Sequence, residues 1–162
     1  MPDGERVFIG LGANIGPARA TARAAIEQLA AVPRTRLVAA SHLYRSAPLQ
    51  AEGPDFVNAV AELRTALEPE ALLAELQRIE RDHGRERPYV NAPRTLDLDL
   101  LFFVQRRLDT PALTLPHPRL GRRAFVLAPL AELAPAWPLG DGRTVAEALA
   151  ALPDQDVERI IE

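Results

Sequence analysis

Two aspartates placed two residues apart are the strongest candidates for chemistry in this sequence. Asp97 and Asp99 lie in the run TLDLDLL, whose alternation of polar and apolar residues predicts a β-strand. Because side chains alternate between the faces of a strand, both carboxylates should point the same way, about 7 Å apart at the backbone. Such a pair suits magnesium, which uses one or two carboxylates together with substrate phosphates. The alternative is a solvated strand face whose aspartates pair with neighbouring arginines.

Arginines are concentrated directly before this aspartate pair. Five of the 19 arginines fall within residues 78–94, which is more than twice the share that an even distribution would give. A planar guanidinium binds phosphate with two parallel hydrogen bonds, and a loop that carries several can close over a polyphosphate and exclude water. We expect this role for Arg85, Arg87 and Arg94, and we expect Arg78 and Arg81 to be exposed helix charges.

Glu80 and the three histidines are further candidates. Glu80 lies four residues after Leu76 on the apolar stripe of a predicted helix, so its carboxylate needs a partner, either an arginine or a ligand. His117 lies in LPHPRL with three arginines in the next six residues, which favours a phosphate contact. His42, in a predicted strand, is expected to be structural, and His83 ends a helix, where positive charge is favourable.

Three glycines follow the first predicted strand with the spacing GxGxxxG. Gly10, Gly12 and Gly16 differ from a dinucleotide-binding fingerprint because the third glycine comes one residue too late, and a P-loop would require a lysine. A tight turn is therefore the favoured interpretation, with close approach of the backbone to a ligand as the second.

Periodicity and turn residues predict the elements that must position these groups. We expect strands over residues 6–11, 37–44, 56–63 and 95–103. We expect helices over residues 18–32, 69–83, 124–133 and 144–152. The connections over 45–55 and 115–120 should be irregular, and the segment 84–93 should form a mobile loop.

The order of these elements predicts the fold class. Strand, helix, strand, strand, helix, strand is the βαββαβ pattern of the α+β ferredoxin-like fold, an antiparallel sheet with helices packed on it. We expect a helical C-terminal addition and a single domain over residues 1–162. This fold hosts many unrelated activities, so it does not by itself predict a function.

Composition excludes several classes of enzyme. The 162 residues are 48% apolar and 25% charged, as in a globular domain, and they include no cysteine and no lysine. Thiolate nucleophiles, disulfides, Schiff bases and a P-loop lysine are thereby excluded. A net charge of −3 disfavours a general nucleic-acid binder. Without an apolar run of about 20 residues or a signal sequence, we expect a cytoplasmic protein with no membrane partner.

Seven segments match one enzyme family in order and spacing, from Val7 to Trp137. They are GLGANIG, YRSAPL, DFVNAV, QRIE, GRER, APRTLDLDLL and LPHPRLGRRAFVLAPL. In these segments the chain resembles the 6-hydroxymethyl-7,8-dihydropterin pyrophosphokinases of the folate pathway. The resemblance implies a ferredoxin-like fold and transfer of pyrophosphate from ATP to the pterin hydroxymethyl group, with release of AMP and the use of two magnesium ions.

The resemblance also implies a role for each candidate residue. Asp97 and Asp99 would hold both magnesium ions, Arg85 and Arg87 would belong to a mobile catalytic loop, and Arg94 would grip the transferred phosphates. Contacts to ATP are implied for Gln77, Glu80, Leu100, Thr114, His117 and Arg123. Phe56 and Phe125 would sandwich the pterin, Asn58 would bind its edge, and Gly12, Ser46 and Leu49 would contribute backbone groups.

Two other functions remain as alternatives. A nucleotidyltransferase or cyclase on the same fold would also use an aspartate pair, but it would release pyrophosphate rather than AMP. An RNA-binding module is the non-enzymatic alternative, since sheets of this type bind RNA through aromatic residues. The two aspartates and the absence of an aromatic cluster on the strands argue against it. The expected protein is therefore a monomer whose partners are ATP and the pterin, with no nucleic acid.

Overall fold

The chain forms an antiparallel sheet with helices packed against its two faces. The structure, a computed structural model, describes residues 4–14, 17–47, 55–83, 96–104, 106–152 and 156–161. Its strands are β1 Glu5–Ala13, β2 Thr35–Ala40, β3 Tyr44–Ser46, β4 Phe56–Thr65, β5 Asp97–Phe103, β6 Leu108–Asp109, β7 Thr114–Leu115 and β8 Val157–Arg159. Its helices are α1 Ala18–Ala30, α2 Pro69–Asp82, α3 Ala124–Leu133 and α4 Val145–Ala150, with a 3₁₀ turn at Leu120–Arg122.

The two longest strands lie in the middle of the main sheet. The strand order is β5–β1–β4–β3–β8, β2 also pairs with β4, and every neighbouring pair is antiparallel. β6 and β7 form a separate hairpin. Both β1 and β4 are buried along most of their length, as expected for strands covered on both faces. The aspartate-bearing strand β5 therefore lies at one end of this order, next to β1.

Alternating residues of β1 divide the core into two clusters. Val7, Ile9 and Leu11 pack with the apolar faces of α1 and α2. Phe8, between them in sequence, packs on the other face with α3 and α4. This period-two alternation is the reason that one strand can support two helical layers.

Helix boundaries follow local chemistry. α2 begins at Pro69, where a missing backbone N–H costs nothing, and ends before His83. α4 begins with a capping box, in which Thr144 and Glu147 each accept a hydrogen bond from the other's backbone N–H. The four helices predicted from sequence are confirmed, with differences of at most two residues at each end.

The predicted strand over residues 37–44 is wrong as a continuous element. The chain leaves the strand at Ser41 and re-enters it at Tyr44, so the predicted loop begins after Ser46 and not at Arg45. Ser41 explains the break, because its hydroxyl donates to the carbonyl of His42 and accepts from the backbone N–H of Val60. His42 accordingly lies in a connection and not in a strand.

The C-terminal part of the chain is not purely helical. After α4, the short strand β8 pairs with β3 at the end of the sheet, which the sequence did not predict. Residues 116–119 are irregular as expected, whereas Leu115 ends β7 and Leu120 begins the 3₁₀ turn, and the peptide bond between Leu115 and Pro116 is cis. The predicted mobile loop over 84–93 lies outside the described residues. In the described part of the chain, no helix has the length and apolar character needed to cross a membrane.

Candidate active site

One cleft gathers eight of the site residues predicted from the sequence. Its volume is about 240 Å³, and β1, β4 and β5 contribute to it together with the end of β3, the residue after it and the start of α3. It is lined by Gly10, Leu11, Gly12, Ser46, Ala47, Phe56, Asn58, Ala59, Asp97, Asp99, Arg123, Phe125 and Val126. Apolar and aromatic walls with a few polar groups are typical of a small-molecule site.

The strand register places three residues in one row across the floor of the cleft. Gly12 of β1 is opposite Asn58 of β4 on one side and opposite Asp97 of β5 on the other. A Cβ atom at Gly12 would lie 3.5 Å from the Asn58 Oδ1 atom, in the space between the two side chains. The glycine therefore leaves the middle of the floor open to a ligand.

A buried hydrogen bond fixes the amide of Asn58. Its Nδ2 group donates to the Ser46 Oγ atom at 2.7 Å, and both residues are almost fully buried. Because the amide N–H group faces Ser46, the Oδ1 atom faces Gly12 and the cleft. This orientation presents a hydrogen-bond acceptor to whatever lies on the floor.

Two phenylalanines supply apolar surface to the cleft. Phe56 begins β4, Phe125 lies in the first turn of α3, and both are half-buried. The Arg123 guanidinium carbon lies 5.5 Å from the centroid of the Phe125 ring, so a positive charge borders this wall. Aromatic walls of this kind favour a flat heteroaromatic ligand.

Asp97 and Asp99 face the cleft, as alternation predicts. Both are half-buried, whereas Leu96, Leu98 and Leu100 are buried in the core shared with α1 and α2. Carboxylate oxygens are hard ligands that suit magnesium. Within the described ranges, no group of three or more His, Cys, Asp and Glu side chains could hold a metal by itself. Two carboxylates fit magnesium, since that ion usually takes its other ligands from water and phosphates.

A β-bulge links the aspartate strand to His117. The register between β1 and β5 shifts so that Leu101 has no partner between Leu100 and Phe102. The backbone N–H of His117 donates to the carbonyl of Leu101 at 3.1 Å. Bulges commonly redirect a strand next to functional sites, and this one holds the PHP segment beside the aspartate pair.

The surroundings of His117 favour the neutral form of its imidazole. Burial lowers its pKa below the ordinary 6.5, the charges of Arg123 and Arg119 lower it further, and Asp99 opposes them. Its Nδ1 atom accepts from the backbone N–H of Arg119, so the ring proton is on Nε2. That Nε2 atom lies 3.9 Å from an Asp99 carboxylate oxygen, too far for a direct hydrogen bond.

Glu80 has a backbone partner. The residue is 3% exposed, and its Oε2 atom accepts a hydrogen bond from the N–H of Leu98 at 2.8 Å. The sequence left an arginine or a ligand as the partner of this carboxylate. This bond ties α2 to β5 between the two aspartates, and an arginine or a ligand as a further partner stays a prediction.

The structure separates the predicted site residues into three groups. Those lining the cleft are Gly12, Ser46, Phe56, Asn58, Asp97, Asp99, Arg123 and Phe125. Those described outside its lining are Gln77, Glu80, Leu100, Thr114 and His117, of which Gln77 is exposed on α2 and Leu100 is buried in the core. Leu49, Arg85, Arg87 and Arg94 lie outside the described residues.

Five residues of the cleft lining are absent from the binding residues predicted from the sequence. They are Gly10, Leu11, Ala47, Ala59 and Val126. The sequence placed Gly10 only in the glycine motif after the first strand, although it lies two residues before Gly12 and so shares its face of β1. The two alanines and Val126 carry no chemical signal, and only the assembled fold brings them to the cleft.

Comparisons with known proteins agree on one family. The family model for 7,8-dihydro-6-hydroxymethylpterin-pyrophosphokinase (HPPK) matches residues 8–135. The 2-amino-4-hydroxy-6-hydroxymethyldihydropteridine pyrophosphokinase of Pseudomonas aeruginosa is 49% identical over 157 residues, which cover 96% of this chain and 97% of that protein. The protein of the same name from Methylorubrum extorquens is 42% identical over 156 residues, 96% of this chain and 98% of that one.

Solved structures show the same fold at low sequence identity. The wild-type HPPK-DHPS of Plasmodium falciparum superposes with a TM-score of 0.70 at 13% identity over 91% of this chain. An HPPK-DHPS in complex with substrates gives 0.72 at 13% identity over 93% of this chain. This chain spans only 41% and 43% of those two longer chains, respectively.

Proposed function

The chain belongs to the 7,8-dihydro-6-hydroxymethylpterin-pyrophosphokinase family, and from that premise we propose how its cleft works. It transfers a pyrophosphoryl group to hydroxymethyldihydropterin in folate biosynthesis, with ATP as co-substrate. The observation that carries this function is the match to a pyrophosphokinase at 49% identity along nearly the full length of both chains. The family resemblance noted in the sequence is thereby confirmed.

The pterin site is proposed at the floor and aromatic walls of the cleft. Phe56 and Phe125 would stack on the pterin ring, and the Asn58 Oδ1 atom would accept a hydrogen bond from its edge. Backbone groups of Gly12, Ser46 and Leu49 would complete the site. Support comes from the open floor at Gly12 and from the fixed amide of Asn58. A flat ring with donors on its edge matches both features.

The phosphate site is proposed beside the pterin site. Asp97 and Asp99 would hold two magnesium ions, which supply positive charge that offsets the charge of the polyphosphate. Arg123 and His117 would contact ATP phosphates, and Arg94, Arg85 and Arg87 would enclose the group being transferred. Support comes from the position of the aspartates and Arg123 in the same cleft as Asn58. Gln77, Glu80, Leu100 and Thr114 remain proposed nucleotide contacts, Leu100 through its backbone because its side chain is buried.

Catalysis is proposed to depend on positioning and electrostatics. The pterin hydroxymethyl oxygen would attack the β-phosphorus of ATP in line, so that AMP leaves. The aromatic walls would hold the attacking oxygen, and the arginines would stabilise negative charge that develops on the phosphate oxygens. No general base is assigned.

The finer fold assignment is also a proposal. The order β5–β1–β4–β3 with antiparallel neighbours supports a ferredoxin-like βαββαβ unit, in which the β2–β3 segment takes the place of one strand. The part after β7 would be an addition to that unit. Action as a cytoplasmic monomer stays a prediction of the sequence.

Product analysis tests the function. The protein is incubated with ATP, magnesium and 6-hydroxymethyl-7,8-dihydropterin, and the nucleotides are separated. We expect AMP and the pterin pyrophosphate in equal amounts. ADP would indicate transfer of a single phosphate, and inorganic pyrophosphate would indicate the nucleotidyltransferase alternative. A salt-dependent affinity for RNA without ATP turnover would favour the RNA-binding alternative.

A further inference from the structure

Glu80 is a buried carboxylate on a helix that packs against the aspartate strand. It lies in the last turn of α2 beside Ile79, which is fully buried in the core. An apolar residue would pack there without the cost of burying a carboxylate, so the charged group needs a compensating hydrogen bond. The N–H of Leu98 provides that bond at 2.8 Å.

The bond reaches β5 at the residue between the two aspartates. Within the described residues, β5 pairs with β1 and with no other strand of the main sheet, so one side of it lacks a neighbouring strand. Backbone N–H groups on such a side have no ladder partner. Asp97 and Asp99 point to the cleft, whereas Leu98 points to the core that β5 shares with α2. Glu80, on α2, therefore lies on the face of the sheet opposite to the cleft.

We propose that Glu80 is a positioning residue that fixes the backbone of β5 and thereby holds Asp97 and Asp99 in place for a divalent cation. Two neighbouring carboxylates repel one another when no cation is bound. A hydrogen bond from a backbone N–H to a carboxylate is about twice as strong as one between neutral groups, and this one restrains the residue that both aspartates flank. The inference rests on the proposed function, because it takes the aspartate pair as the cation site.

Two substitutions separate the effect of side-chain length at Glu80 from the effect of its charge. Glu80→Gln keeps the length of the side chain and an oxygen acceptor but removes the charge. Glu80→Asp keeps the charge but shortens the side chain by one methylene, so the bond to Leu98 is lost. Glu75→Asp is the matched control, since Glu75 lies on the same helix and pairs with Arg78 at the surface.

Cation affinity is the measurement. Mn²⁺ binding is followed by electron paramagnetic resonance at a saturating concentration of a non-hydrolysable ATP analogue. The affinity for the analogue is measured for each variant, because Glu80 is also a proposed nucleotide contact, and urea midpoints report stability separately. We expect Glu80→Asp to weaken Mn²⁺ binding about 10-fold to 100-fold, the range seen when a group that supports metal ligands is removed. Glu80→Gln should weaken it by less than about 3-fold because a hydrogen bond remains. Glu75→Asp should leave it unchanged.

Each outcome has a consequence. Normal Mn²⁺ affinity in a folded Glu80→Asp protein would overturn the proposal. A 10-fold loss in Glu80→Gln with amide exchange at Leu98 as slow as in the wild type would also overturn it, because the bond to Leu98 would then persist without holding the cation site. If Glu80→Asp does not fold, Glu80→Gln decides by the same criterion, together with amide exchange at Leu98, which should stay as slow as in the wild type.

The proposed function is tested separately by Asp97→Asn in the same assay. If the wild type binds Mn²⁺ and Asp97→Asn does not, the aspartate pair is the cation site whatever Glu80 does. If Asp97→Asn binds Mn²⁺ normally, the aspartate pair is not the cation site and the proposed function of the pair fails. Normal Mn²⁺ binding by Glu80→Asp would then follow from that misassignment. The two failures are therefore distinguishable.

Discussion

Among single residues, Gly12 shapes the site because it has no side chain, and its neighbours shape it through their polar groups. Gly12 stands in one row with Asn58 and Asp97, and the missing side chain leaves space between a hydrogen-bond acceptor and a carboxylate. The hydrogen bond to Ser46 fixes the orientation of the Asn58 amide. In the proposed site, the pterin edge and the phosphates would approach β1 from opposite sides of Gly12.

Neutralising either aspartate should stop turnover without unfolding the protein. Asp97→Asn and Asp99→Asn each remove a charge from the proposed magnesium site, and we expect kcat to fall at least ~100-fold. Folding should survive because Leu98 and Leu100 pack on the opposite face of β5. Steady-state kinetics at saturating magnesium give the measurement, with Asp109→Asn on the exposed part of β6 as the control. Near-normal turnover in both variants would remove these residues from the site.

Removing either aromatic wall should weaken pterin binding selectively. Phe56→Ala and Phe125→Ala each lose stacking and burial, and we expect pterin affinity to fall by about 1–3 kcal/mol. ATP binding should change little, since the proposed phosphate ligands remain. Titration calorimetry measures the two ligands separately. Equal losses for ATP and pterin would mean that the rings support the core rather than the ligand.

At the scale of elements, one carboxylate joins the helix that carries Phe125 to the strand that carries Ser46. Glu132 of α3 accepts hydrogen bonds from the Tyr44 hydroxyl, the His42 backbone N–H and the His42 ring. Burial and the bond to Glu132 raise the pKa of Tyr44 to about 12. The contact fixes the two walls of the cleft relative to each other.

Glu132→Gln should destabilise the protein in a pH-dependent way. Burial alone would raise the pKa of Glu132, but the hydrogen bonds from Tyr44 and His42 outweigh it, so the pKa lies below the ordinary 4.5. A carboxylate with a lowered pKa stabilises the fold above its unfolded pKa, and this contribution is lost as pH falls through the folded pKa. We expect a loss of about 1–2 kcal/mol in unfolding free energy at pH 7.

Urea unfolding at several pH values measures that difference. The difference in unfolding free energy between wild type and Glu132→Gln should be present at pH 7 and should shrink as the pH falls below 4.5, because both side chains are then neutral. Glu27→Gln on the exposed face of α1 is the control and should show no such difference. A difference in unfolding free energy that does not change with pH would mean that the contact depends on packing and not on the charge of Glu132.

The helices and the aspartate strand could be predicted from the sequence, but features that depend on contacts between distant segments could not. Helix α2 has clear apolar periodicity and α4 has a capping box, and the alternation in TLDLDLL placed Asp97 and Asp99 on the cleft face correctly. The break at Ser41 depends on a bond to Val60 in another strand, and β8 is three residues long and half-exposed. The partner of Glu80 and the bulge at Leu101 also depend on strand pairing, which a single sequence does not reveal.

At the scale of the whole molecule, two helical layers share one sheet. Leu76 of α2 belongs to one core cluster, and Leu130 of α3 belongs to the other. The single tryptophan, Trp137, packs against the second cluster, where its ring lies 5.0 Å from that of Phe8. Because β1 contributes Ile9 and Phe8 to opposite faces, neither layer can be lost without disturbing the strand that supports the other.

This sharing predicts that the protein unfolds as one cooperative unit. Leu76→Ala leaves a cavity on the face remote from Trp137, and we expect a loss of about 2–5 kcal/mol in unfolding free energy. Tryptophan fluorescence and far-ultraviolet circular dichroism, followed during urea unfolding, should give one common midpoint that shifts equally for both probes. Leu130→Ala, beside the tryptophan, is the matched variant and should behave the same way. The opposite outcome in Leu76→Ala is a circular dichroism midpoint that falls while the fluorescence midpoint stays at the wild-type value. That result would show that the two layers unfold independently. The cleft between β1, β4, β5 and α3 could then lose one wall while the other persists.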